Sequence, residues 1–160
     1  MQFRMLFQQS PVVNLIIDPA TGCVTEANEA AERFYGYPRE ELIGLPMWRI
    51  NVLSAEDIRA RMGEVLAEEP RSFLFQHRLA SGEVRDVRVH TGRLLVDGRP
   101  MLYSIIQDIS EELRSQRQTV LNAERLRSLV HLNQMQDEAG QDDLIRFALE
   151  EAVRLTGSKA

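Results

Sequence analysis

Cysteine is nearly absent from this chain of 160 residues: Cys23 is the single one. An internal disulfide is therefore excluded, and a reducing compartment fits. The plain reading of Cys23 is a lone buried thiol. Histidine is scarce too, with His77, His90 and His131 only. No Glu or His stands at metalloenzyme spacing from His131. A glycine-rich phosphate loop, a Ser or Cys nucleophile motif and a zinc-ligand spacing are all missing, so neither an enzyme nor a metal site is expected. No stretch approaches the roughly 20 apolar residues of a membrane span. Met1-Gln2-Phe3-Arg4 lacks the apolar run of a signal peptide. A cytoplasmic location is the expectation, although a longer parent protein could be tethered to a membrane. There is no long basic run and the net charge is −5, which argues against nucleic acid and anionic membrane as main partners.

What is present suits one domain plus an appendage, since a hydrophobic content of 44% supports a real core in about a hundred residues. The organising stretch is Gly82 to Ser110. Val84, Val87, Val89, Leu94, Leu95 and Val96 read as one strand; Met101, Tyr103, Ile105 and Ile106 read as its return. Asp97-Gly98 between them is a strong hairpin signal, because both central positions of a type I′ turn need positive φ. Asp108-Ile109-Ser110 closes the sheet, and Glu111-Glu112-Leu113 opens a helix.

The chain before it alternates short elements. Phe3, Leu6 and Phe7 fall at helical spacing. Val12 to Asp18 and Cys23 to Ala27 read as strands around an Asp-Pro-Ala-Thr-Gly turn. Asn28 stands where a helix N-cap belongs, ahead of Glu29 and Glu32. Arg39 to Leu45 reads as a second short helix, and Leu45 to Leu53, with Trp48, as irregular. Ser54 opens a helix to about Glu69, with Ile58, Met62, Val65 and Leu66 as its buried stripe. Arg71 to Leu79 reads as a strand with Phe73, Phe75, His77 and Leu79 on one face. The order is two strands, three short helices, three strands and a long helix. It predicts an α+β fold: a five-stranded antiparallel sheet with short helices across one face.

These residues resemble a PAS domain with its C-terminal PAC region. The resemblance rests on Asn28-Glu29-Ala30-Ala31, on Phe34-Tyr35-Gly36-Tyr37 followed by Glu40-Glu41-Leu42-Ile43-Gly44, and on the Ser81-Gly82-Glu83 and Asp97-Gly98 turns. Asp108-Ile109-Ser110 is similar to the Asp-Ile-Thr signature where PAS sheets meet their signalling helix, and its serine keeps a hydroxyl that can cap that helix. The resemblance implies a sensor for a small molecule, redox state or other cytosolic signal. It also implies a homodimer and an output domain reached through the exit helix, in two-component or cyclic-di-nucleotide signalling.

The expected domains are a sensor at 1–112, a linker or coiled-coil signalling helix at 113–138, and the first helix of a truncated GAF-like domain at 139–160. Glu111 to Asp137 has hardly any breaker, and an imperfect heptad favours a short parallel coiled coil. Ala139-Gly140-Gln141 marks a change, with a new amphipathic helix starting at Asp142-Asp143 and Gly157 as its C-cap. Its apolar face, together with Arg154-Leu155-Thr156-Gly157-Ser158, resembles the opening of a GAF domain.

The ligand remains open. Flavin-thiol photochemistry needs a cysteine in the region that here reads Gly44-Leu45-Pro46-Met47-Trp48-Arg49. Conventional haem ligation needs a histidine between Ser54 and Glu69, and neither is present. Non-covalent flavin requires only an apolar slot with a few donors, and His77 is an alternative axial haem ligand if it faces the pocket. Ligand-binding candidates are Trp48, His77 and Tyr103, with Arg78 and His90 as further polar neighbours. Relay candidates are Asp108, Ile109 and Ser110, with Arg78 or Arg85 as the partner of Asp108. Two other readings stand beside the sensor: a dimerisation scaffold without ligand, and part of a histidine kinase with His131 as phosphoacceptor.

Overall fold

The computed structural model describes residues 2–67 and 70–156. Residues up to Leu113 form one compact unit, and those from Arg114 on form a second.

The first unit opens with helix α1 (Gln2–Gln9), followed by strands β1 (Val13–Asp18) and β2 (Cys23–Ala27). Helices α2 (Glu29–Tyr35), α3 (Arg39–Leu42), α4 (Met47–Ile50) and α5 (Ala55–Ala67) come next. Strands β3 (Arg71–Arg78), β4 (Val84–Val96) and β5 (Arg99–Asp108) complete the sheet. Its order is β2-β1-β5-β4-β3 with antiparallel pairing throughout, so the first and last strands of the chain meet in the middle. The turn between β4 and β5 has the backbone its sequence demands, with φ of 49° at Asp97 and 75° at Gly98.

Asn28 caps α2 as expected. Its Oδ1 accepts from the backbone N–H of Ala31 at 3.0 Å and of Asn14 at 3.0 Å, while its Nδ2 donates to the carbonyl of Val12 at 2.7 Å. One buried side chain thus fixes both the start of α2 and the start of β1. Gly36 ends α2 in the left-handed region at φ 74°. At α5, Ser54 Oγ accepts from the Asp57 N–H at 3.1 Å and donates to the Asp57 carboxylate at 2.6 Å.

Three expectations are corrected. The stretch 45–53 holds a one-turn helix, α4, where an irregular segment was expected; four residues are too few for a periodic signal. Cys23 is half-buried, with its Sγ 3.6 Å from the Thr21 carbonyl, because it sits on the edge strand β2. The break at Ala139-Gly140 does not occur: helix α6 is continuous over Ser110–Thr156. A single interior glycine costs about 1 kcal/mol relative to alanine, which is too little to end a helix flanked by good formers. The expected C-cap Gly157 and the end of the helix near Glu69 lie outside the described residues.

Faces alternate as β geometry requires. Leu15 and Ile17 of β1, Phe73, Phe75 and His77 of β3, Val87, Val89 and Thr91 of β4, and Leu102, Ser104 and Ile106 of β5 point toward the helices. With Tyr35, Leu42, Ile50, Ile58, Met62 and Val65 they build the core. Ile16 is buried on the other face, where Phe7 of α1 brings its ring 6.3 Å from that of Tyr103.

Candidate functional site

The residues between α3 and α5 do more than connect helices. At one end the N–H of Gly44 donates to Val24 at 2.7 Å, Val24 donates to Leu45 at 3.0 Å, and Met47 donates to Gly22 at 2.9 Å. At the other end the Val52 N–H donates to Gln76 at 3.0 Å, and Asn51 bridges to His77. β2 and β3 are the two outer strands of the sheet. A single strap, residues 44–53, is therefore hydrogen-bonded to both edges. Between strap, α5 and sheet lies a cavity of about 50 Å³.

Its walls are mainly apolar: Leu15, Ile17, Met62, Val65, Leu102 and Ile106 among them. The polar groups are few and specific. On the floor, Ser104 Oγ donates to Thr91 Oγ1 at 2.9 Å across β4 and β5. On the wall stands His77, only 1% exposed. Arg61, exposed on α5, marks the mouth; its guanidinium lies 5.9 Å from the Phe73 ring and 3.1 Å from Glu64.

The hydrogen bonds around His77 assign its tautomer. Asn51 Oδ1 accepts from the Leu53 N–H at 2.9 Å, which turns the Asn51 amide nitrogen toward His77 Nε2 at 3.4 Å. An amide nitrogen only donates, so Nε2 is the acceptor. The ring proton then sits on Nδ1, which donates to Tyr35 Oη at 2.9 Å. Burial lowers the His77 pKa to about 4 and raises that of the Tyr35 phenol far above its ordinary range. His77 is thus a neutral imidazole with both nitrogens committed.

Among the three expected ligand-binding residues, His77 alone lines this cavity. Trp48 packs outside it, over Gly22 and beneath the Arg59 guanidinium, 4.7 Å from the ring centre. Tyr103 points to the opposite face, because it is out of phase with Leu102 and Ser104; burial there raises its pKa. His90 is exposed on that same opposite face and bonded to the Ser72 hydroxyl. Arg78 is exposed at the end of β3. The polar cavity residues that the sequence does not single out are Asn51, Arg61, Thr91 and Ser104. Strand alternation from His77 and Leu102 would have placed the two hydroxyls; Asn51 carries no pattern that marks it.

The cavity wall is linked to the exit helix by pairing. His77 and Arg85 are direct cross-strand neighbours on β3 and β4. The Arg85 guanidinium reaches Asp108 Oδ2 at 3.2 Å and forms an ion pair with Glu83 at 2.8 Å. Asp108 Oδ1 in turn accepts from the Ser110 N–H at 2.9 Å. The Ile109 N–H donates to the Asp86 carbonyl at 2.9 Å. The Ser110 hydroxyl accepts from the Asp86 N–H at 2.9 Å, so it ties α6 to β4, and the side chain capping the first turn is that of Asp108. Of the two arginines considered as its partner, Arg85 makes the contact.

Ring cofactors fit this geometry poorly. Neither His77 nitrogen is free for a haem iron. The cavity is about a third of the roughly 150 Å³ that accepts benzene. Among the described residues no three His, Cys, Asp or Glu side chains cluster to hold a metal ion, and no helix is long and apolar enough to cross a membrane.

Residues 7–114 match the family model described as PAS fold. The chain is 34% identical over 119 residues to the diguanylate cyclase DgcM of Escherichia coli, covering 72% of this chain and 29% of that protein. It is 30% identical over 161 residues to a methyl sulfide methyltransferase-associated sensor of Methanosarcina acetivorans, covering 99% of this chain and 16% of that protein. The chain therefore spans less than a third of the length of either relative. Among solved structures, the PAS domain of an HTR-like protein from Haloarcula marismortui superposes with a TM-score of 0.63 at 26% identity, covering 68% of this chain and 89% of that one.

Proposed function

Because the chain belongs to the PAS fold family, we propose that it is a regulatory sensor module whose cavity reads a small-molecule signal and passes it through α6 to an output domain. The observation that carries this reading is the continuous path from His77 through Arg85 and Asp108 to the first turn of α6. A change of cavity occupancy that shifts β3 against β4 moves Arg85, and with it the carboxylate that holds the helix start.

The relatives' names, a diguanylate cyclase and a sensor, support a signalling output. We take that output to lie beyond the PAS region, with residues 139–160 leading into a GAF-like or other downstream domain. The segment itself acts by conformation and carries no reaction. On α6, Val120, Leu121, Leu126, Leu129, Val130 and Leu132 are each more than half exposed, which suits pairing with a second copy. Leu129→Gln is then expected to weaken a dimer in sedimentation equilibrium, and a wild-type monomer at all concentrations would remove that part.

One observation favours a second reading, the ligand-free scaffold: the cavity is small. Native mass spectrometry separates the two. Added non-covalent mass on the purified chain supports the sensor. In parallel, His77→Gln perturbs the cavity wall at the far side of the sheet from β5. The sensor reading expects altered hydrogen exchange at the Ile109 and Leu113 amides. Exchange altered around β3 alone would overturn the relay.

A further inference from the structure

The cavity's chemistry narrows what it can take. Among the described residues its interior shows no charged side chain: Asn51, His77, Thr91 and Ser104 are the polar groups, and the cation at its mouth, Arg61, is matched by Glu64 at 3.1 Å. The remaining walls are aliphatic, aromatic and thioether side chains, Met47 and Met62 among them. An ion brought inside would lose its hydration with no opposite charge to meet it, and that cost is several kcal/mol.

The polar groups also have a polarity of their own. The hydroxyls of Ser104 and Thr91 bear two hydrogens between them, and their mutual bond uses one. The Asn51 amide nitrogen bears two, and His77 Nε2 takes one. His77 Nε2 is used by Asn51, and one lone pair of Asn51 Oδ1 by the Leu53 N–H. The donors left over are the Thr91 hydroxyl and one Asn51 N–H, while Ser104 Oγ, its hydrogen used, can only accept. Its volume of about 50 Å³ sets the size, since a cavity near 150 Å³ takes the six carbons of benzene.

Resting on the reading that this cavity is the sensing site, we propose that its ligand is a small uncharged molecule of about two to four non-hydrogen atoms, apolar except for one hydrogen-bond acceptor that faces the Thr91 hydroxyl and the Asn51 amide. Such a molecule enters past Arg61 and Phe73 without unpairing the arginine from Glu64. It satisfies a spare donor and fills carbon-lined space. Larger or charged metabolites would have to break the strap at Asn51 to be admitted.

The test uses three probes on the purified chain, followed by NMR of Thr91, Leu102, Ser104 and Ile106. Acetonitrile is uncharged with one acceptor; xenon has none; acetate is similar in size but charged. Saturable shifts with acetonitrile and xenon, and none with acetate at equal concentration, are expected. In the double variant Thr91→Val/Ser104→Ala, acetonitrile should bind roughly two- to tenfold more weakly, the worth of one hydrogen bond. Xenon binding should persist there, which shows that the cavity still exists. Tighter binding of acetate than of acetonitrile, silence from both uncharged probes, or an unchanged acetonitrile affinity in the double variant would each overturn the ligand class. If a larger or charged molecule carried through purification shifts these same residues, the ligand class fails and the sensor reading stands. If acetonitrile saturates the cavity and the first turn of α6 does not respond, the ligand class stands and the sensor reading fails.

Discussion

Arg85 and Asp108 hold the point where sheet becomes helix: Nη1 of the arginine lies 3.2 Å from Oδ2 of the aspartate, whose other oxygen accepts the Ser110 N–H. The two residues sit on adjacent antiparallel strands, and Asp108 is the last residue of β5. Both side chains are about 30% exposed, at 29% and 30%. The ion pair itself is therefore weak, screened by water and salt. Its value is geometric, because it decides where the helix starts.

Asp108→Ala removes the pair and the cap together. The expected cost is about 1–2 kcal/mol, with faster hydrogen exchange across 110–113 and an unchanged exchange pattern in β1 and β5. Unchanged exchange in the first turn of α6 would show that Asp86 alone anchors the helix.

His77 makes stability depend on pH. Its folded pKa, lowered to about 4, lies below the unfolded value of 6.5. Above pH 6.5 both states hold a neutral ring and the full stability is present. As pH falls toward 4 the unfolded chain gains a proton that the folded chain refuses, so stability falls; below 4 both are charged and the loss is complete. The size is on the order of 3 kcal/mol, from a shift of this extent at 1.36 kcal/mol per unit. Denaturant titrations at several pH values between 7 and 4 should show a steeper decline in wild type than in His77→Gln. Parallel curves would mean that His77 gains a proton in the folded state without penalty.

Gly22 is tied to Trp48 by contact. A Cβ at Gly22 would stand 2.6 Å from Trp48 Cζ3, and the residue has φ +71°, which side chains rarely adopt. Gly22→Ala is expected to destabilise by more than about 1 kcal/mol and to shift the fluorescence of Trp48, the single tryptophan. An unshifted emission spectrum would place the indole elsewhere.

Asn28→Ala tests the joint between α2 and β1. The side chain is fully buried, and its loss takes the partner from the Asn14 N–H and one of two partners from the Ala31 N–H and the Val12 carbonyl. About 2–4 kcal/mol of destabilisation is expected in chemical unfolding, against about 1 kcal/mol if it were a simple helix cap.

Most of the fold was legible because its elements carry strong local signals. β2 ran from Cys23 to Ala27 as read, and Asp97-Gly98, Asn28 and Gly36 each punctuate the chain by backbone chemistry that only a few residue types satisfy. The site was harder. His77 was readable, since alternation put it on the face of Phe73 and Phe75. Tyr103 is a pocket candidate by residue type, as a polar aromatic, while period-two geometry puts its neighbours Leu102 and Ser104 there. Trp48 was placed there for the same reason of residue type. The strap leaves no mark in the sequence because its bonds are backbone to backbone between residues far apart along the chain. The continuity of α6 through Gly140 is a case where flanking propensity outweighs one breaker.

Coupling of the cavity wall to the exit helix through Arg85 can be measured directly. A double-mutant cycle with His77→Gln and Asp108→Asn tests it, read as the exchange free energy of the Leu113 amide, which donates to Ile109 at 3.0 Å. Coupled residues should give effects that fail to add by more than about 0.5 kcal/mol. Strict additivity at that amide would contradict the coupling and leave the helix start indifferent to the cavity.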